Sequence, residues 1–276
     1  MAMQVVHTVE EIKQKRLEFS QRKIGFVPTM GALHEGHLAL VKKCKSESEL
    51  SIVSIFVNPT QFNDNKDLEK YPNTIEADLK SLEQMDVDIV FIPKYEDLYQ
   101  NEQKLAVNIA EIEQKMEGSK RPGHFDGVIR VLIIFFNLIK PNYAYFGEKD
   151  YQQVLVVQKL INQHFPTISL IKCPTVREPN GLAKSSRNKL LSESAFNRSG
   201  EIYSTLKWIK ENITAQSINS ILDDGRRKLS ERFEVEYLEL RNENNLEETS
   251  NSLENSRLFV AVQIESIRLI DNIALN

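Results

Sequence analysis

The sequence has only two cysteines, Cys44 and Cys173, in 276 residues. They lie far apart without metal-type spacing, and read as small buried apolar side chains in a reducing compartment. Long apolar runs are missing. The most apolar stretch, residues 131–136, is bounded by Arg130 and Asn137 and falls far short of the roughly 18–20 residues of a membrane span. Nor is there an excess of positive charge. Lys and Arg number 35 against 39 Asp and Glu, giving a net charge of −4, which argues against a nucleic-acid binder held by electrostatics. Residues 1–10 carry no basic region followed by an apolar one, so no secretory signal is expected and the cytoplasm is the expected compartment. The chain has no Gly-x-Gly-x-x-Gly fingerprint, no P-loop ending in Gly-Lys-Ser/Thr and no internal repeat.

What is present is the composition of a soluble globular protein, 41% hydrophobic and 27% charged. The length fits one large domain or two ordinary ones.

The chain is organised around residues 24–37. An apolar run over 24–27 predicts a short buried strand ended by Pro28. Gly31 and Gly36 free the backbone for tight turns, and Leu38, Leu40 and Val41 with Lys42 and Lys43 open an amphipathic helix. His34 and His37 therefore sit in a glycine-bearing turn before a helix N-terminus, where free backbone N–H groups and partial positive charge suit a phosphate. The pair is one residue short of the i, i+4 spacing that zinc proteases use.

In order, the pattern predicts a helix over 8–20 and a buried parallel strand over 50–57 that runs into the polar loop 58–63. A helix over 74–85 follows, with Thr74 as N-cap, then a strand over 87–92. Asp78 on that helix reads as a solvated acid, the alternative being an approach to magnesium. An edge strand is expected over 105–109, a loop over 117–125 that is either anion-facing or a basic surface loop, and a buried helix over 128–138. A strand over 143–146 ends in the polar residues 147–153, then come a helix to about 164 and a strand over 168–173. Residues 192–231 read as two or three helices, and 234–240, 257–262 and 267–273 as strands, with an exposed mobile loop over 242–256. The boundary expected near 175–185 gives domains 1–175 and 176–276.

Polar clusters at four strand or domain edges, His34 with His37, Asn58 with Gln61, Lys149 with Asp150 and Gln153, and 184–188, describe one site with several anion contacts. In an open α/β sheet the carboxyl edge is where ligands bind.

The stretches that carry these clusters are Phe-Val-Pro-Thr-Met-Gly-Ala-Leu-His-Glu-Gly-His (26–37), Ser-Ile-Phe-Val-Asn-Pro-Thr-Gln-Phe (54–62), Arg-Pro-Gly-His-Phe (121–125), Phe-Gly-Glu-Lys-Asp-Tyr-Gln-Gln (146–153) and Ser-Ser-Arg-Asn (185–188). In this order, and with the closing Arg-Leu-Ile-Asp-Asn (268–272), they resemble the pantothenate synthetase family of the HIGH/KMSKS-type nucleotidyltransferases. The resemblance implies an α/β fold, with a Rossmann-like parallel-sheet domain followed by a smaller α+β C-terminal lid domain. It implies a homodimer that condenses pantoate with β-alanine, using ATP and Mg2+, through a pantoyl-adenylate, with AMP and pyrophosphate as products.

It also implies residue roles. Met30, Gly31, Ala32, Leu33, His34, Glu35, Gly36 and His37 wrap the ATP, with His37 as a proton donor. Gly147, Glu148, Lys149 and Asp150 contribute a second ATP segment, and Val176 a backbone contact to the adenine. Lys184, Ser185, Ser186 and Arg187 match the second ATP motif. Gln61 and Gln153, with Asn58, match positions that hold pantoate, and the ligands of the metal are left open. Lys184 departs from the apolar residue, often Met, that many members carry there; its side chain is either solvated and without effect, or adds a cation near the β- and γ-phosphates and lowers the KM for ATP. Asp126 has no reading at this stage. The rival is another adenylyl- or cytidylyltransferase that stops after nucleotidyl transfer; a nucleotide-sensing module without turnover is a more distant one.

Overall fold

The computed structural model describes residues 2–63, 68–69, 71–100, 102, 105–214, 217–249 and 253–275. The chain divides into two units, Met1–Glu148 with Gln152–Pro174, and Lys149–Tyr151 with Thr175–Asn276.

In the first unit, among the described residues, six strands form one sheet: β1 (Gln4–Val6), β2 (Ile24–Thr29), β3 (Leu50–Ile55), β4 (Ile89–Phe91), β5 (Tyr143–Gly147) and β6 (Ser169–Cys173). Their order is β1-β4-β3-β2-β5-β6 and every pair is parallel. The helices are α1 (Val9–Glu18), α2 (Glu35–Glu47), α3 (Ile75–Gln84), α4 (His124–Ile139) and α5 (Tyr151–His164), with short helical turns between. Parallel strands covered on both faces read as continuous apolar runs, and all six residues of β3 are buried. Phe135 and Phe136 of α4 pack edge-on against Phe26 of β2, with ring centroids 5.6 and 6.4 Å away, an arrangement that aromatic quadrupoles favour. Cys44 and Cys173 are buried free thiols, and burial pushes them up to about 12 and about 11, so they are inert packing residues at neutral pH.

Two strand expectations for this unit are corrected, and one strand is added to them. Pro28 does not end β2, which continues to Thr29 and pairs with β3 along its whole length. The ladder with β5 is registered only at Gly25 and Phe26, so the end of β2 that carries Pro28 stands apart from that neighbour. Residues 105–109 form no strand. Side chains near the end of α5 take their backbone groups instead: the Asn108 N–H donates to Gln163 Oε1, and His164 Nε2 meets the Ala106 carbonyl. The sheet edge belongs to β1, a three-residue strand that the sequence pattern missed.

In the second unit α6 (Glu193–Asn212) and α7 (Ile218–Ser230) cover an antiparallel sheet of β7 (Glu234–Asn242), β8 (Ser256–Ile264) and β9 (Ile267–Ala274), in order β7-β8-β9. Its core gathers Ile202, Leu206 and Ile209 of α6 with Leu229, Leu238 and Val260. Of the loop expected over 242–256, the described part is largely exposed, as at Asn244, Asn245, Glu247 and Glu248, but one residue anchors it, and residues 250–252 lie outside the described residues. Leu246 is fully buried, its carbonyl accepts from Arg241, and the Glu243 N–H donates to the Asn255 carbonyl.

Candidate active site

Between β2 and β5 the chain order reverses: β3 lies to one side of β2 and β5 to the other. That is the topological switch point, where an open α/β sheet opens a crevice at its carboxyl edge. Residues 30–37 follow β2, Asn58 and Gln61 follow β3, and Gly147 ends β5, so parallel strands deliver all of them to one edge. A cleft of 380 Å³ at this edge is lined by Met30, Gly31, Val57, Tyr71, Asp78 and Pro93 among others.

The turn after β2 is held by side chains. Gly31 has φ 79° and Ala32 φ 50°, left-handed values that favour glycine and are unusual for alanine. The Gly31 N–H donates to Thr29 Oγ1 at 3.2 Å, the Ala32 N–H to Asp78 Oδ2 at 2.9 Å and the Leu33 N–H to Asp78 Oδ1 at 2.8 Å. His34 caps α2, its Nδ1 accepting the Gly36 N–H at 3.1 Å, while His37 Nδ1 accepts the His34 N–H at 3.4 Å. The expectation that this turn offers free backbone N–H groups is therefore corrected, since those of Gly31, Ala32, Leu33, His34 and Gly36 are taken. The polarity moves to the imidazoles. A ring nitrogen that accepts carries no proton, so each neutral ring bears its N–H at Nε2. The two rings stack with centroids 4.1 Å apart and planes 30° apart.

Asp78 is 3% exposed, so the reading of it as a solvated acid is corrected. The Thr74 hydroxyl also serves it, donating to Oδ2 at 3.1 Å, and leaves the N-terminus of α3 without the expected side-chain cap.

Asn58 is 1% exposed. Its amide donates to Gln61 Oε1 at 3.2 Å and to the Gly127 carbonyl at 3.0 Å. Its Oδ1 accepts from the Thr60 N–H, the Thr60 hydroxyl and the Tyr99 hydroxyl. Both amide hydrogens and its oxygen are engaged within the protein, one of the hydrogens on Gln61. Gln61 in turn donates from Nε2 to Met30 Sδ at 2.9 Å. The loop expected over 117–125 is corrected, since residues 116–120 form a helical turn and His124 opens α4. This segment fixes the same residue, with His124 Nδ1 2.8 Å from the Gln61 carbonyl and Arg121 Nη1 3.2 Å from His124 Nε2. Gly127 lets α4 approach closely, since a Cβ there would meet the Thr60 carbonyl at 2.3 Å. Asp126 is exposed in the first turn of α4, where a carboxylate favours the helix dipole. Glu35 and Gly36 lie in the first turn of α2, and Gln153 is half-buried in the first turn of α5.

The remaining candidates belong to the second unit. The Lys149 Nζ lies 3.3 Å from Asp150 Oδ1, and its carbonyl accepts from Asn272 Nδ2 at 2.9 Å. Residues 176–184 form a hairpin in which the Lys184 N–H donates to the Val176 carbonyl. Arg177 spans it, donating to the Gly181 carbonyl and as a fork to Asp271 at 2.6 and 3.1 Å, with its guanidinium 3.5 Å above the Tyr203 ring. Burial pushes the Asp271 carboxyl up, and Arg177 opposes that. Ser185 Oγ accepts the Arg187 N–H and starts the helical turn Ser186–Leu190. The Lys184 ammonium lies 2.9 Å from Glu178 Oε2.

A parallel sheet with paired histidines after the strand at its switch point defines a Rossmann-like nucleotide-binding enzyme class. The comparisons make the assignment specific. The family model described as Pantoate-beta-alanine ligase matches residues 4–274, and the chain belongs to that family. A pantothenate synthetase of Campylobacter hominis is 40% identical over 274 residues, covering 99% of this chain and 100% of the relative. One from Azobacteroides pseudotrichonymphae is 42% identical over 278 residues, covering 98% and 99%. Among solved structures, the pantothenate synthetase of Thermus thermophilus superposes with a TM-score of 0.91 at 36% identity, covering 99% of both chains. The pantoate-beta-alanine ligase of Francisella tularensis, complexed with beta-gamma ATP and beta-alanine, gives 0.81 at 37% identity, covering 99% of this chain and 98% of that one. The protein is a ligase of this family, and a nucleotidyltransferase that stops at transfer is not favoured.

Proposed function

We propose that the protein activates pantoate with ATP as a pantoyl-adenylate and passes the acyl group to β-alanine. A pantoate carboxylate oxygen attacks the α-phosphorus and pyrophosphate leaves. The β-alanine amine then attacks the acyl carbon, the bond to the bridging oxygen breaks, AMP leaves, and the amine nitrogen loses a proton. Negative charge gathers on phosphoryl oxygens in the first step, so donors fixed in advance at that place favour the transition state over the ground state.

The observation that carries this reading is the pair of Nδ1 contacts, from which the tautomers are assigned. His34 and His37 each spend Nδ1 on a backbone N–H, which turns both Nε2–H groups into donors for phosphate oxygens. The reading assigns Met30 to Leu33, Glu35 and Gly36 to the wrapping of the nucleotide, and Lys149, with Gly147, Glu148 and Asp150, to a compact phosphate contact. It gives Val176 and the 184–187 segment to the nucleotide as well. Gln61, whose carboxamide is held from two sides, and Gln153 recognise pantoate. A carboxamide both donates and accepts, which suits hydroxyls beside a carboxylate, and such paired bonds reject analogues that lack the hydroxyl. Asn58 acts through Gln61.

Among the described residues no group of three or more His, Cys, Asp or Glu is placed to hold a metal ion. That fits magnesium entering with the nucleotide as MgATP, since this ion keeps most of its waters and is held largely by phosphates. Among the same residues no helix is long and apolar enough to cross a membrane. The full-length family match supports extending the reading to a cytoplasmic homodimer. The test is AMP release measured with ATP, pantoate and β-alanine, each omitted in turn. Turnover that requires all three supports the reading, and steady turnover without the amine contradicts it.

A further inference from the structure

We infer that Asp78, on a helix that follows a different strand, is a positioning residue that sets the His34 and His37 donors by holding the turn before them. This rests on the function proposed above and names a residue that it leaves out. The two oxygens of one carboxylate take the N–H groups of consecutive residues, Ala32 at 2.9 Å and Leu33 at 2.8 Å, and the Thr74 hydroxyl fixes one of them at 3.1 Å. The turn needs such a hold. Ala32 has φ 50°, a conformation that L residues rarely adopt and keep only when surroundings impose it. Space at this point is tight as well, because a Cβ on Gly31 would lie 3.1 Å from Asp78 Oδ2 and 3.1 Å from Ile55 Cγ2. One residue beyond the clamp, the His34 N–H meets His37 Nδ1, so the backbone that Asp78 fixes is the backbone that sets the tautomer of the catalytic ring. An amide oxygen at position 78 would accept from one N–H and oppose the other with its own NH2 group. That leaves the fold intact and the turn loose.

The experiment compares Asp78→Asn with the wild-type chain for pantoate-dependent exchange of pyrophosphate into ATP, and follows the imidazole nitrogens by long-range proton–nitrogen NMR. The expected result is a fall in kcat of about 10- to 100-fold with the KM for pantoate changed less than about threefold, the split given by a contact made in the transition state. The His34 and His37 ring signals shift while His164 stays in place. Thermal melting of the variant reports its folding, and Asp78→Glu, which keeps both oxygens, serves if the amide fails to fold. Full exchange activity with unmoved ring signals would falsify the inference. So would a loss that tracks only the unfolded fraction. A wild-type chain without pantoate-dependent exchange would instead overturn the functional reading on which the inference rests.

Discussion

At the scale of single residues, what the two histidines do follows from which of their nitrogens is occupied. His37 presents Nε2–H because its Nδ1 accepts a backbone N–H. His37→Ala is therefore predicted to lower kcat by about 10²–10⁴-fold, the usual worth of a positioned proton donor, with little effect on the KM for pantoate; initial rates at saturating ATP measure it. Lys184 shows how a neighbour changes a reading. Sequence left it either solvated or an added cation for the phosphates. In the structure its charge is compensated by Glu178 at 2.9 Å, with side chains 15% and 18% exposed. With that charge engaged by Glu178, Lys184→Met is expected to change the KM for ATP by less than about fivefold. A rise beyond tenfold that weakens with added salt would restore the direct phosphate contact.

At the scale of elements, the long-range ties decide what the sequence pattern leaves open. Buried parallel strands read as apolar runs, and β2, β3 and β5 were legible for that reason, as were both histidines in the turn between strand and helix. Asp78 was not, because its partners lie 46 and 45 residues away, and an acid in a helix next to Ala77 and Leu79 looks like any surface acid. The contact of Asn58 with Gln61 was not legible either, since it depends on Gly127 of α4 and on Tyr99. The three-residue strand β1 carries too little pattern to be seen. One tie makes a testable statement about acid stability. Asp88, just before β4, is partly buried, which raises its carboxyl, but the Ser51 N–H and hydroxyl and the Lys45 ammonium outweigh burial and hold it below the ordinary value. A depressed folded value contributes stability that is present above the unfolded value and lost as pH falls through the folded one. Asp88→Asn is expected to lower stability at neutral pH and to flatten its loss on acidification, measured by urea melts at a series of pH values. An unchanged slope would remove Asp88 from the account.

At the scale of the whole molecule, the chain carries two units, each with its own core. Within that unit the Arg177–Asp271 fork ties the 176–184 hairpin to the last strand, and the neighbouring Asn272 holds the Lys149 carbonyl. The closing Asp-Asn pair thus supports two of the segments assigned to the nucleotide, through links 94 and 123 residues long that leave no local pattern. The central claim, however, is chemical: the acid is activated at phosphorus before the amine captures it. Pantoate labelled with oxygen-18 in its carboxylate tests this most directly, by mass analysis of the AMP released in a single turnover. The account predicts one labelled oxygen in each AMP and one retained in the new amide carbonyl. Unlabelled AMP beside a labelled product would contradict it.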